Sequence, residues 1–290
     1  MRFVVASSHD AADVLRQSRA TLSIRPDQHN LVLSLLWARA ASDEAGRYWI
    51  VRDRASEVVV GVVFQSPLTF SALVTTMPRA AAVAAADAIV DSGVALPGIQ
   101  GEVPTSSAFA DRWAQRCGTR ARALQGTRLY RLGAGELTAE GTGPGRTRLA
   151  TANDLDLVIE WMDAFADELA QQRLMPRTIE QRVEAREVSV YEVAGRTVCL
   201  VAQTPVVEAT VRIAPVYTPP SERRHGFARS CVGDVSRTII EAGHTCVLFA
   251  DAANATSNHL YRSLGYRVIG EVMRYEFDTK ASPSRSTAAQ

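Results

Sequence analysis

A chain of 290 residues with 32 basic and 31 acidic side chains, net charge +1, is long enough for two cores and lacks the clustered Lys and Arg of a nucleic-acid-binding face. No run of about 18 apolar residues is present to span a bilayer, and the opening MRFVVASSHD has no hydrophobic stretch behind a basic start, so a cytoplasmic location without membrane partners is expected. Cys117, Cys199, Cys231 and Cys246 are scattered without metal-ligand spacing. They read as free thiols of a reducing compartment, three of them in apolar surroundings, with no metal site expected.

In chain order, the first elements with a clear pattern are Tyr48 to Arg52 and Val58 to Gln65, two β-rich runs joined by a polar turn. Ser71 to Thr76 follows, then Pro78, an alanine-rich helix from Arg79 to Ser92, and the apolar Leu96 to Val103. A helix with Phe109 and Trp113 ends near Gly118, and Gln125 to Leu132 supplies a last strand. Gly133 to Arg146 is rich in glycine and poor in apolar side chains, the composition of a linker. Beyond it, Arg148 to Ala152 reads as a strand, and Asn153 or Asp154 caps a helix carrying Leu157, Ile159, Trp161, Phe165 and Leu169. Pro176 starts a second helix. Val188 to Val193 and Thr197 to Ala202 flank a turn at Gly195-Arg196, and Val206 to Tyr217 is the next strand. A helix to about Glu241, a Gly243 cap, the strand Cys246 to Ala250, a helix holding Tyr261, and strands Arg267 to Val272 and Met273 to Phe277 complete the pattern. The polar residues from 279 onward read as a disordered tail.

The densest chemical signal is Val216 to Ser230, VYTPPSERRHGFARS. Pro219 and Pro220 end the strand and bar direct passage into a helix, so the chain must turn. Gly226 lets the backbone approach a ligand, and the amides from Arg224 to Ala228 stand at a helix N-terminus, where free donors and the helix dipole attract an anion. Arg223 and Arg224 add cations, and small Ala228 leaves room for a diphosphate. An ordinary strand-turn-helix connection is the other reading.

Arg223-x-x-Gly226-x-Ala228 resembles the Arg/Gln-x-x-Gly-x-Gly/Ala signature of the GNAT superfamily of N-acetyltransferases. The second half of that family's pattern follows at the expected distance in DAANATSNHLYRSLGY, Asp251 to Tyr266. Ala255, where relatives often carry proline, and Ala228, where glycine is commoner, depart from it. The resemblance implies an α/β fold, an α+β mixed sheet made of two tandem acetyltransferase-like domains, each mostly antiparallel and flanked by helices. It further implies a bacterial two-domain organisation, with residues 1–132 a degenerate copy, 133–146 a linker and 147–278 the catalytic domain. The first copy has MPRAAAVAA, Met77 to Ala85, in place of the phosphate turn and Trp113 in place of Tyr261. An unrelated α+β domain is the alternative for that half.

The family further implies acetyl-coenzyme A as co-substrate, bound by Val216, Tyr217, Thr218, Arg223, Arg224, His225, Gly226, Phe227, Ala228, Asn254 and Ser257. The acceptor would be a primary amine of a small molecule, attacking directly in a ternary complex. An amide donor near Val216 and Tyr217 would stabilise the oxyanion, and Tyr261 would protonate the leaving thiolate or else pack under the co-substrate. Glu208, Glu168 and Asp163 are candidates for the base, although Arg212 sits closer by count to the position where some relatives place a catalytic Glu. His225 reads as a turn residue facing solvent or phosphate. A non-catalytic acyl-coenzyme A sensor and a generic phosphate site in an unrelated enzyme stay open, as does the choice between monomer and homodimer.

Overall fold

The computed structural model of the protein describes residues 2–124, 126–138, 143–169 and 172–278. Its elements run β1 (Phe3–Ser8), α1 (Ala11–Leu22), α2 (Pro26–Ala40), β2 (Arg47–Asp53), β3 (Val59–Gln65), β4 (Ala72–Val74), α3 (Arg79–Asp91), β5 (Gly98–Glu102), α4 (Val103–Cys117), β6 (Ala121–Ala123) and β7 (Thr127–Leu132). Then come β8 (Arg146–Leu149), α5 (Leu155–Glu168), α6 (Pro176–Glu184), β9 (Val188–Val193), β10 (Arg196–Gln203), β11 (Thr210–Tyr217), α7 (Phe227–Glu241), β12 (Thr245–Asp251), α8 (Ala255–Ser263) and β13 (Arg267–Phe277). A strand, two helices, three strands, a helix, a strand, a helix and a strand thus occur twice in the same order, the first run with one extra short strand, β6, before its last.

Two compact units are formed, each from discontinuous chain. The first takes residues 2–25, 35–127 and 270–278. Its strands lie in the order β1-β2-β3-β4-β5-β13, with β6 also on β13. Every pair is antiparallel except β4 with β5. Small side chains allow α3 to sit close to the sheet: Ala81, Ala82, Ala85 and Ala86 are all buried in one cluster with Trp49, Ile99, Phe109 and Trp113.

The second unit takes residues 26–34 and 128–269. Its order is β7-β12-β11-β10-β9-β8, with β11 and β12 parallel and the neighbours from β8 to β11 antiparallel among themselves. Strand alternation sends side chains to two faces. On one, Val211, Ile213, Val201 and Cys199 pack with Phe227, Cys231 and Val235 of α7 and with Tyr261 of α8. On the other, Leu200, Ala202 and Tyr217 pack with Val158, Trp161 and Met162 of α5 and with Ile179 and Val183 of α6. Ala194 (φ 47°) and Gly195 (φ 76°) make the tight β9–β10 turn that the sequence indicates.

Several boundaries differ from the sequence reading. The strand expected from Val206 begins only at Thr210, because Glu208 (φ 48°) and Ala209 (φ 54°) turn the chain and Val207 bridges Thr210. Asp154 is the N-cap residue of α5, one of the two the sequence offers, but it is also the end of a 3-10 turn capped by Thr151, whose amide and hydroxyl both bond the Asp154 carboxylate, 2.8 and 2.9 Å. Leu169 lies past the end of α5 and is exposed. The two strands expected at 267–277 are one, unbroken at Val272 and Met273. Part of the expected linker is anchored within the second unit: Glu136 accepts from the Gly133 amide at 2.6 Å and pairs with Arg131 and Arg267, and Leu137 packs on the core. Positions 139–142 of that linker and the expected tail from 279 onward lie outside the described residues. Three of the cysteines are buried and all four are free.

Candidate active site

The site is built where β11 and β12 part. Their parallel pairing covers only Thr210 to Arg212 against Thr245 to Val247. Past those residues the two strands share no register, and the second half of β11 pairs on its other side alone, Val216 with Val201 and Tyr217 with Leu200. An irregularity between Val201 and Gln203 places an extra residue in β11 around Ala214 and Pro215, and a bulge of this kind bends a strand away from its neighbour. A notch is left, and because successive amides of a strand point to alternate sides, some main-chain donors at the end of β11 face it.

At the head of that notch the chain makes the proline-glycine turn. Pro220–Glu222 is one turn of 3-10 helix, Arg224 (φ 68°) and Gly226 (φ 81°) take left-handed backbone, and Phe227 opens α7. The first helical bond runs from the Ser230 amide to the Gly226 carbonyl, 3.1 Å. Among the described residues, no acceptor meets the amides of Arg224, His225, Gly226, Phe227, Ala228 or Arg229. A Cβ added at Gly226 would meet no atom within 4 Å, so the space above the turn is open. Six unengaged donors, a 15-residue helix directing its positive end outward, and the exposed Arg223 and Arg224 form a cradle suited to a diphosphate.

The side chains of the turn have separate tasks. Phe227 is buried and stacked by the His225 ring at 5.3 Å, so these two residues fix the turn on the core. His225 Nδ1 lies 3.3 Å from the Glu222 carbonyl. Arg223 donates through Nε to the Thr218 carbonyl at 2.8 Å and through Nη2 to Glu168 at 2.5 Å, and its guanidinium lies 5.8 Å from the Tyr217 ring centre. It thereby ties the turn to the end of α5. Ala228 packs partly against the core.

Below β12, α8 begins at Asn254, whose Oδ1 caps the Ser257 amide at 3.0 Å. One helical turn later, Asn258 is 3% exposed and donates to the carbonyls of Asp251 and Asn254, 2.7 and 2.6 Å, while accepting from Tyr130 at 2.6 Å and Arg128 at 3.3 Å. This hub closes the β12–α8 corner. The sequence reading passed over it, and the i, i+4 repeat of asparagine was its one visible sign. Tyr261 is buried between Tyr130 (5.8 Å) and Tyr266 (5.9 Å), beside Cys199. Burial pushes its phenol well above the ordinary tyrosine range. Its hydroxyl meets no hydrogen-bond partner among the described residues.

Of the acidic candidates, Glu168 reaches the turn, where Arg223 holds it, while Glu208 and Asp163 lie elsewhere. Glu208 sits in the turn before Thr210, at the far end of β11 from the phosphate turn, and Thr210 itself lies up to roughly 20 Å from Val216 by strand rise. Glu168 is the ion-pair partner of Arg223, and Asp163 pairs with Arg173 at 3.5 Å.

Residues 194–275 match the family model described as FR47-like protein. No curated protein matches the chain. Solved structures with the same fold include a GCN5-related N-acetyltransferase from Sphaerobacter thermophilus, 15% identical, covering 94% of this chain and 95% of that one with a TM-score of 0.63. An acetyltransferase of the GNAT family from Colwellia psychrerythraea is 11% identical over 95% of this chain and 100% of its own, TM-score 0.58. A tandem GNAT protein from the clavulanic acid biosynthesis pathway is 14% identical over 94% and 97%, TM-score 0.54. The fold of the chain is therefore that of the GCN5-related N-acetyltransferases, with its FR47-like segment running from the β9–β10 turn into the last strand.

Proposed function

We propose that the protein is an acetyl-coenzyme A-dependent N-acetyltransferase acting on a primary amine of a small molecule by direct attack in a ternary complex. The observation that carries this reading is the row of unengaged amides at the head of α7, set beside the point where β11 and β12 separate. Acetyl-coenzyme A, as co-substrate, supplies the thioester-activated acetyl group. The amides of Arg224, His225, Gly226, Phe227 and Ala228 hold its diphosphate, helped by the charges of Arg223 and Arg224. The main chain of Val216, Tyr217 and Thr218 offers donors and acceptors to the arm, and an amide there stabilises negative charge that develops on the acetyl oxygen. Asn254 keeps its amide nitrogen for the arm, since its oxygen is spent on the Ser257 cap. Tyr261, protonated at neutral pH as any tyrosine is, and buried beside Cys199, delivers a proton at the sulfur end. The first unit is read as a copy without this chemistry. Its Met77 amide is taken by Thr105 Oγ1 at 3.2 Å, and the Pro78 carbonyl takes the Ala81 and Ala82 amides.

Calorimetric titration with acetyl-coenzyme A, followed by thiol release across a panel of primary amines, tests the proposal. Absence of binding overturns it. The engagement of Glu168 by Arg223 and of Asp163 by Arg173, with Glu208 at the far end of β11, favours a second reading, an acyl-coenzyme A binding protein without turnover, for which binding would occur and no amine would release thiol.

A further inference from the structure

Arg212, in the middle of β11, is half-buried and has no carboxylate within ion-pair distance among the described residues. Its side chain leaves the sheet on the face opposite Val211 and Ile213, the face covered by α5 and α6. There Nη1 donates to Asn30 Oδ1 at 2.9 Å and to Ser34 Oγ at 3.0 Å, both neutral groups on the part of α2 that belongs to this unit. Among the described residues, Nε and Nη2 meet no acceptor, and no acid lies within ion-pair distance. The nearest charge of consequence is another cation. Arg182 of α6 is engaged by Glu187 at 3.3 Å and by the carbonyls of Gln203 and Ala214, 3.0 and 3.2 Å. Burial, with Arg182 adding to it, pushes the Arg212 guanidinium down to about 10.

A half-buried guanidinium whose Nε and Nη2 find no protein acceptor must satisfy those donors with water or with a ligand. Here the idle donors stand on the strand that leads to the notch, four positions before Val216, about 13 Å along the strand, a distance the bulge shortens and the arginine side chain partly spans. Arg212 is also not sealed off, since part of the residue remains accessible. We propose that Arg212 is the anchor for an oxyanion group on the acceptor, so that the substrate is a small amine carrying a carboxylate or phosphate within a few bonds of its nitrogen. This rests on the transferase reading and narrows its substrate class. A planar guanidinium with a free Nε–Nη2 edge is matched to a two-oxygen partner, and a site built this way rejects the neutral analogue.

The test compares acceptors that differ only in that charge, alanine against alaninamide and phosphoethanolamine against ethanolamine, in thiol-release assays. A binding arm without turnover titrates N-acetylglycine and N-acetylglycinamide into protein loaded with coenzyme A. Wild type is expected to favour the anionic member of at least one pair by tenfold or more, and to bind N-acetylglycine over its amide. Arg212→Gln should abolish the discrimination while melting no lower than wild type, and Arg212→Lys should restore part of it. Equal use and binding of charged and neutral members by wild type overturns the proposal. So does a uniform loss with both in Arg212→Gln and Arg212→Lys, which would make Arg212 only a tie to α2. Thiol release from no amine, with N-acetylglycine binding still lost in Arg212→Gln, would sink the transferase reading and leave the anion anchor standing.

Discussion

At the scale of single residues, Tyr261 and Asp154 are informative because each owes its proton affinity to a visible cause. Burial raises the proton affinity of Tyr261, and if it delivers the proton to the thiolate, Tyr261→Phe should lower kcat at least tenfold while acetyl-coenzyme A affinity by calorimetry stays within twofold of wild type. The same upward shift predicts that wild-type turnover loses no acid on the alkaline side until beyond pH 10, the ordinary tyrosine value. Asp154 behaves oppositely. Its two oxygens accept from Arg148 at 2.8 Å each, and with the Thr151 amide and hydroxyl they pull the carboxyl down to about 2. A depressed acid stabilises the folded state fully above its unfolded value near 3.8 and loses that contribution as pH falls toward 2. Asp154→Asn should therefore cost about 2 kcal/mol at neutral pH, by denaturant melts, and the difference should vanish near pH 2. The sequence showed Asp154 as a capping candidate yet could not show Arg148 bound to it. Arg223 and Glu168 illustrate the same limit, being 55 positions apart and joined only by the fold.

Elements were legible in proportion to how far local chemistry decides them. Pro219, Pro220 and Gly226 dictate the turn because each restricts or frees the backbone independently of its surroundings. The bulge in β11 and the early parting from β12 depend on partner strands, and in VRIAPVY the local mark of interrupted pairing is Pro215, which has no amide to give a ladder. The opening elements β1, α1 and α2 have only local marks in the sequence: Asp10 caps α1, bonding the Ala12 and Asp13 amides at 2.8 and 3.0 Å, and Pro26 starts α2. Gly226→Ala offers a test at this scale. The new methyl has room, but the left-handed backbone is unfavourable by about 1 kcal/mol. Modest destabilisation with acetyl-coenzyme A affinity lowered about tenfold is expected, read by thermal melts and calorimetry. Gly265→Ala should be far worse, destabilising by at least 2 kcal/mol, because its Cβ would collide with the Glu136 carbonyl on top of a φ of 99°.

For the whole molecule, the exchange of terminal strands is the feature that no local pattern announces. Strand β13 completes the sheet that begins with β1, while β7 lies beside β12. Each contiguous half of the chain therefore lacks a strand that its own unit uses. Residues 1–132 produced alone would leave the edge of β5 without Val272 to Glu276 and strip Phe277 from its stack on Trp113, 5.1 Å. Such a fragment should melt without a cooperative transition by circular dichroism, whereas the full chain should show one. A sharp, reversible melt of the isolated half would contradict the exchange.

The short register between β11 and β12 has one more consequence. Main-chain groups from Ile213 to Tyr217 that would be shielded in a complete ladder are left to solvent on one side, and isotope should reach them quickly in heavy water. A bound pantetheine arm carries amides of its own and would act as a surrogate strand, so deuterium uptake across this peptide should slow sharply on ligand addition while uptake in β9 stays as it was.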